Sequence, residues 1–566
     1  MSSVTRREIP QLVARRSRVG RAGTLSHSFP TEHGEYFRIY RNEPLRLEVE
    51  FLKDLPNLTV VVHTNLGNHD GTWQEAKFQK IGARKYGAEL RADKCGLFRF
   101  KLKYSLDNGQ NWCWDRVPFS EVLVDPANTR HVAMYTLIPT VSGPISTWKE
   151  QLQRVRAMNF NAVHLLPVTA MAPSESPYAA DDLFSVDSSY LDPADPRSGL
   201  DQFEDFVECA RSLDIRLCVD LVLNHVGVSS TLVKSCPGWI VSDPSEPDGL
   251  RRAGCWHKNQ WIKWQDLVKI NYDHPQRKVK ADIWQYMTEY ANFWSNYAAC
   301  TGGMIRFDNM HSSHEEFMTH CTRAIRREFP DIVILAEFFS DLPTLQRKVF
   351  EWGLNLLLAN PWECHLTGQL REYIGFLHHV SGKLRHFVPI TSHDTGSPAQ
   401  IYGAAEAALP GYFVMALFTT GQTGMVQGAE HGISEKVEFI GRNGGFQVNT
   451  ETDYTPFITQ VNGLLQACKI FANSGNLQFV DGGHETMLAA VRFGEFCNEH
   501  DVLLVANLDT QHEQSIELDL HPLDLPLPLQ LHNMLEEDHL ELTDPRLHLS
   551  LGPCGVKAYE LRCARS

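Results

Sequence analysis

Four short segments of the chain place acids and histidines directly behind apolar runs. They are Asp220-Leu221-Val222-Leu223-Asn224-His225, Arg306-Phe307-Asp308-Asn309-Met310-His311, Ala336-Glu337 and Ser392-His393-Asp394. A purely structural carboxylate is normally solvated on a helix face, so four such clusters behind β-type runs point to one shared site. Two carboxyls facing each other across an acetal carbon can cleave a glycosidic bond with retention of configuration. One attacks and forms a glycosyl ester; the other protonates the leaving oxygen and then deprotonates the acceptor. Asp308 and Glu337 are the pair whose positions fit. Arg306, two residues before Asp308, shares its strand face and is expected to keep Asp308 ionised. Burial behind Val333 to Ala336, with the charge of Asp394 nearby, is expected to make Glu337 the proton donor.

Such a site needs a scaffold that brings four distant segments together. From Val132 onward, short apolar strands alternate with helical stretches. The strands are expected at Ala133–Ile138, Ala162–Val168, Arg216–Leu223, Met304–Phe307, Ile332–Glu337, Leu354–Leu358, Phe387–Thr391 and Gly424–Gln427. Helices such as Asp201–Leu213, Ala281–Tyr297 and Glu315–Arg327 lie between them. Eight strand–helix units predict an α/β fold of the closed (β/α)₈ type, whose active sites lie at the C-terminal strand ends. The acids and histidines lie at those ends. The expected domains are a basic disordered tail (1–30), an N-terminal β-sandwich (31–130), the barrel (131–474) with an insertion (226–280), and a C-terminal β-sandwich (475–566). The insertion carries Trp239, Trp256, Trp261 and Trp264, which serve equally well as its own small core or as faces for sugar rings.

Composition narrows the partners. The 566 residues carry a formal net charge of -15, so nucleic acid is not expected as a partner, whereas a neutral, hydroxyl-rich ligand is not repelled. No stretch has the apolar length of a membrane span, so no membrane partner is expected. The thirteen cysteines lack any Cys-x-x-Cys spacing and read as reduced thiols. With no apolar core to the Arg-rich start, a cytoplasmic location is expected. Asn224 alone makes no calcium site without an Asp-rich loop, so no metal and no cofactor is expected.

In order and spacing the four segments resemble the motifs of the α-amylase clan of glycoside hydrolases and glucanotransferases. The resemblance implies Asp308 as nucleophile and Glu337 as acid/base, with Asp394, His225 and His393 gripping the sugar at the cleavage point. Arg306, His311 and Asn224 are expected to bind the substrate there as well, with Asp220 as a structural support of the site. Ser176-Pro177-Tyr178 through Asp182 resembles the clan's Tyr…Asp stretch, with Tyr178 stacking on the sugar face and Asp182 beside it. Asp308-Asn309-Met310-His311, Ala336-Glu337-Phe338-Phe339 and His393-Asp394 followed by Pro398 are similar to maltosyltransferases and to the glucanotransferase domain of glycogen debranching enzymes. The implied activity is transfer of a glycosyl unit between α-glucans or maltooligosaccharides. The alternatives are a hydrolase using the same residues, or a glycan-binding scaffold without catalysis.

Overall fold

The computed structural model describes residues 18–19, 25–26, 29, 35–51, 54–68, 71–257, 260–442, 448, 451–494 and 499–563. Most of the stretch expected as a basic tail lies outside them. Eight parallel strands close a barrel in chain order: β1 (Val132–Leu137), β2 (Ala162–Leu165), β3 (Arg216–Leu221), β4 (Met304–Phe307), β5 (Val333–Ala336), β6 (Leu356–Leu358), β7 (His386–Pro389) and β8 (Gln422–Val426). Strand β8 pairs with β1, Val132 opposite Gln422 and Thr136 opposite Val426. Helices α1 (Ile145–Ala157), α2 (Gly199–Ser212), α3 (Arg277–Cys300), α4 (Glu315–Glu328), α5 (Leu342–Trp352), α6 (Thr367–Val380) and α7 (Ala408–Leu417) fill the crossovers.

Local chemistry sets these elements. Helix α2 starts at Ser198, whose hydroxyl accepts from the Asp201 amide while the Asp201 carboxylate accepts from the Ser198 amide. Its apolar face, Phe203, Phe206, Val207 and Ala210, has helical spacing and is buried. Helix α5 stops at Gly353, at φ 63°, where a side chain would be strained.

Alternation along the strands divides the barrel. Val219, Leu221, Ile305, Phe307, Ile334 and Ala336 point outward into the core shared with the helices. Val132, Met134, Ala162, Cys218, Met304, Val333, Leu335, Leu356 and Phe387 fill the barrel's lower interior. Phe387 fits only because β8 carries Gly424, where a Cβ would lie 2.6 Å from the phenyl ring and 2.3 Å from the Met134 carbonyl. Two residues further along, the same inward face turns polar. Thr136, His164, Asp220 and Arg306 follow Met134, Ala162, Cys218 and Met304 on β1 to β4. The barrel is thus apolar below and hydrogen-bonded above, under the strand ends that bear the acids.

Sheets flank it on both sides. On the N-terminal side, six strands (Phe37–Tyr40, Thr59–Thr64, Gln74–Lys77, Gly96–Ser105, Cys113–Trp114, Ser120–Asp125) and three (Leu45–Glu50, Gln79–Lys80, Lys85–Leu90) share a core that includes Leu47, Val49, Val60, Phe98 and Phe100. On the C-terminal side, a six-stranded and a two-stranded sheet share Leu503, Val505, Ile516 and Leu518. The insertion after β3 is a three-stranded antiparallel sheet of His225–Gly227, Arg252–His257 and Gln260–Lys269.

One buried cluster locks the N-terminal sheet to the base of the barrel. Asp125 is wholly buried. Its two oxygens accept from Nε and Nη2 of Arg38 at 2.7 and 3.1 Å, and from Nδ2 of Asn355 at 2.7 Å. Arg385 is a further partner. Asn355 and Arg385 directly precede β6 and β7, at the end of the barrel away from the acids. Removing one partner of a buried ion pair costs roughly 3–5 kcal/mol, because the other charge is left unpaired. Asp125→Ala should therefore lower the midpoint of thermal unfolding by several degrees while kcat of the folded fraction stays near wild type. A midpoint within one degree of wild type in a calorimetric scan contradicts this role.

Candidate active site

Arg306 is the centre of the site. Its guanidinium is 3% exposed and reaches three carboxylates. Nη1 donates to Asp220 Oδ2 at 2.6 Å and to Asp308 Oδ1 at 3.3 Å, and Nη2 donates to Glu337 Oε2 at 2.8 Å. The two acids that the sequence pairs are thus held on one planar cation, at the ends of adjacent strands. Glu337 Oε2 also accepts from the Asn309 backbone amide at 2.9 Å. That amide is aimed by the left-handed conformation of Asn309, at φ 43°, which asparagine tolerates better than most residues.

Below the acids runs a chain of buried hydrogen bonds. Thr136 Oγ1 meets His164 Nδ1 at 3.3 Å, and His164 Nε2 meets Asp220 Oδ2 at 3.1 Å. Tyr178 donates its hydroxyl to the same Asp220 oxygen at 3.0 Å. The Tyr178 oxygen is then left to accept from Nε2 of a neutral His393, 2.6 Å away. The two rings stack, with 7° between their planes. Asp394 follows, its Oδ2 3.2 Å from His393 Nε2.

Burial and neighbouring charges fix the protonation. Burial opposes the charge of Asp220, but Arg306 and His164 outweigh it, and the carboxyl lies below its ordinary range. Burial, then Arg306 and His164, hold His393 well below the ordinary imidazole range, so the ring is neutral. Burial likewise pushes His225 down to about 4. Burial and the charge of Glu337 push the Asp308 carboxyl well above its usual range against the pull of Arg306. The expectation that Arg306 chiefly serves Asp308 is therefore corrected: its short contacts go to Asp220 and Glu337, and Asp308 receives the longest. Asp308 and Glu337 are thus held on one cation, and the charge of Glu337 is part of what raises the Asp308 carboxyl.

The structure brings Asp220, Arg306, Asp308, Glu337, Tyr178, His393 and Asp394 into this one cluster. His225 is 1% exposed, neither ring nitrogen has a hydrogen-bond partner, and its ring lies 5.6 Å from that of Trp264. His311 lies in the turn after Asp308, close enough to Glu337 for that charge to act on it, with Nδ1 unpartnered. Asn224 is buried, and its carbonyl accepts from the Ile270 amide, which ties the end of β3 to the insertion. Asp182 is not drawn in: its carboxylate accepts from the Phe184 amide and the Ser185 hydroxyl, both at 2.9 Å. Tyr178 was expected to offer its ring to a sugar, but the ring is packed on His393 and Phe439 and its hydroxyl holds the network.

Among the insertion tryptophans, Trp264 packs beside His225 and Trp239 on Tyr286 of α3. Trp261 is 41% exposed, and the Trp256 side chain lies outside the described residues. His164, Asn309 and the hairpin residue Gly254, whose carbonyl accepts from Asn309 Nδ2 at 3.5 Å, escaped the sequence reading. A histidine inside the apolar run of β2 was the one available signal. Neither a backbone amide nor a carbonyl has a side-chain signature.

Known proteins resemble the chain in sequence and in fold. A family model described as the glucanotransferase domain of glycogen debranching enzyme matches residues 126–247. The cyclomaltodextrinase structure superposes with a TM-score of 0.63 at 16% identity, covering 94% of this chain and 98% of that one. The α-amylase of Geobacillus thermoleovorans, complexed with acarbose, gives 0.60 at 15%, covering 76% and 98%. The fold is that of the α-amylase clan. The α-1,4-glucan:maltose-1-phosphate maltosyltransferase of Salinibacter ruber is 23% identical over 477 residues, 76% of this chain and 68% of the relative. That of Picrophilus torridus is 21% identical over 469 residues, 76% and 70%.

Asp220 supports the acids by holding Arg306, with Tyr178 and His164 as its other partners. Asp220→Asn keeps its shape but removes the anion that anchors the guanidinium. A displacement of about 1 Å at reacting groups can cost roughly 100-fold in rate. We expect kcat to fall by ten- to a hundredfold, with a smaller change in KM, and the unfolding midpoint to drop. Unchanged kcat in steady-state assays rejects this positioning role.

Proposed function

We propose that the chain is a retaining transglycosidase that cleaves α-glucosidic bonds and passes the glycosyl unit to a sugar acceptor. The observation that carries this reading is the bridge of Asp308 and Glu337 by one buried guanidinium at the ends of β4 and β5. Retaining glycosidases need two carboxyls roughly 5–5.5 Å apart, and a shared planar cation favours that closeness.

The steps follow from this placement. The reaction requires Asp308 as the free carboxylate and a proton on Glu337. Asp308 attacks the anomeric carbon; the bond to the leaving oxygen breaks, and that oxygen takes the Glu337 proton. In the second half, ionised Glu337 removes the proton of an acceptor hydroxyl. The acceptor oxygen bonds to the anomeric carbon and Asp308 leaves as a carboxylate. Arg306 stabilises whichever carboxylate is charged. Asp394, His393 and His225 hold the sugar's hydroxyls, and neutral imidazoles can both donate to and accept from them. A scaffold without catalysis would not need three acids and a buried arginine at matched strand ends.

Whether acceptor or water resolves the ester depends on access. The hairpin Arg252–His257 and Gln260–Lys269 lies against Asn309 and His225, beside the reacting pair. We assign transfer over hydrolysis to this hairpin, whose Trp264 beside His225 would give an acceptor ring a face to stack on. The named relatives use a maltosyl phosphate. Two cations of the insertion are paired with acids of their own, Arg252 with Asp248 at 2.8 Å and Lys263 with Glu246 at 2.5 Å, which leaves them less free for a phosphate. We therefore assign an α-1,4-glucan or maltooligosaccharide donor.

Maltotetraose with and without inorganic phosphate tests this. A ladder of longer and shorter oligosaccharides, with little gain in reducing ends, is expected in both. A steady rise in reducing ends with only shorter products identifies a hydrolase. Turnover that requires phosphate and yields a sugar phosphate rejects the donor assignment.

A further inference from the structure

The N-terminal six-stranded sheet has a second face, turned away from the core it shares with the three-stranded sheet. Trp73, Trp112, Trp114 and Phe119 are between 37% and 50% exposed there. They form one patch around His63. The His63 ring is stacked on Trp73 at 4.8 Å between centroids and 10° between planes. Trp114 lies 5.3 Å from His63, and Phe119 lies 5.5 Å from Trp73. The register builds the patch: His63 is opposite Lys101 and Glu75, and Trp114 is opposite Lys103. Large contiguous apolar surface left in water marks a binding face.

The charges among the rings narrow the ligand. Lys103 pairs with Glu75 at 2.5 Å, Lys101 lies 3.8 Å from Asp115, and Arg99 pairs with Glu121 at 2.8 Å. The lysines also lie over rings, Lys103 4.7 Å from the centre of Trp112 and Lys101 5.5 Å from Phe119. Each cation thus has an acid beside it, which suits a neutral ligand and not a polyanion. The core of a protein interface is depleted in lysine and glutamate, whereas here the ion pairs stand among the rings. Flat aromatic faces bordered by charged hydrogen-bonding groups match a pyranose, which has apolar C–H faces and hydroxyl edges.

We propose that this face is a second carbohydrate site, binding a stretch of polymeric α-glucan on the N-terminal sheet and not in the barrel. The choice of an α-glucan rests on the proposed function. The patch would hold a long chain near the enzyme while the barrel works on its free end. Short oligosaccharides, bound by the barrel alone, would gain nothing from it.

Native electrophoresis through gels containing glycogen tests the site without requiring turnover. The wild-type chain should be retarded. The Trp73→Ala, Trp114→Ala double variant should need roughly tenfold more glycogen for the same retardation, with maltotetraose turnover within twofold of wild type. Trp112→Ala and Phe119→Ala, made singly, should each weaken retardation and keep the assignment testable if the double variant folds poorly. A wild-type chain that is not retarded, or variants retarded like wild type, overturns the proposal. So does a change of oligomeric state in the variants with glycogen affinity intact, which would make the patch a protein contact. If maltotetraose is not turned over but retardation still depends on these rings, the barrel assignment fails and the sheet site stands.

Discussion

A guanidinium buried inside a barrel needs acceptors for its N–H groups and compensation for its charge, and Arg306 imposes that requirement on everything near it. Asp220 meets it from β3, Glu337 from β5 and Asp308 from the end of its own strand. Three carboxylates around one cation cannot all be comfortable as charges. The conflict falls on Asp308, whose carboxyl is pushed well above its usual range by burial and by the charge of Glu337. The reaction needs one proton, two carboxyls, and a fixed cation that favours neither permanently. Stabilising Asp220 as the permanent anion leaves the other two free to exchange roles.

This arrangement depends in turn on the barrel's layering. On β1 to β4 the inward residues Met134, Ala162, Cys218 and Met304 are apolar and the next ones, Thr136, His164, Asp220 and Arg306, are polar, so a hydrogen-bonded floor rests on a packed plug. Gly424 admits Phe387 into the plug, and Thr136 and His164 carry the floor across to Asp220. The N-terminal sheet attaches elsewhere, through Asp125 at the opposite end of the strands. The scaffold can therefore be braced without touching the chemistry.

Much of this was legible in the sequence because both signals were local. Apolar runs with acids at their ends located the strands and Asp308, Glu337 and Asp394 together, and turn-punctuated alternation located the sheets. What was not legible was which neighbour each group would choose. Arg306 sits two residues from Asp308, yet strand registry places Asp220 and Glu337 closer to its nitrogens. Tyr178 lies in a motif that the resemblance assigns to sugar stacking, but packing turned its ring to His393. Asp182, four residues on, is absorbed by its own strand. The hairpin that approaches Asn309 shows no clean period, because its strands are short, irregular and shifted in register. Side chains that point into a site are set by pairing between distant segments, and spacing along one chain does not encode that.

The central claim is that Asp308 becomes covalently bonded to sugar. It is tested most directly by trapping the ester. The Glu337→Gln variant, incubated with an activated maltosyl fluoride, can still form the intermediate but resolves it slowly for lack of a base. Proteolysis and mass spectrometry should then locate a glycosyl adduct on Asp308, with products of retained anomeric configuration. An adduct on another carboxylate, or products of inverted configuration with no adduct, would contradict the account.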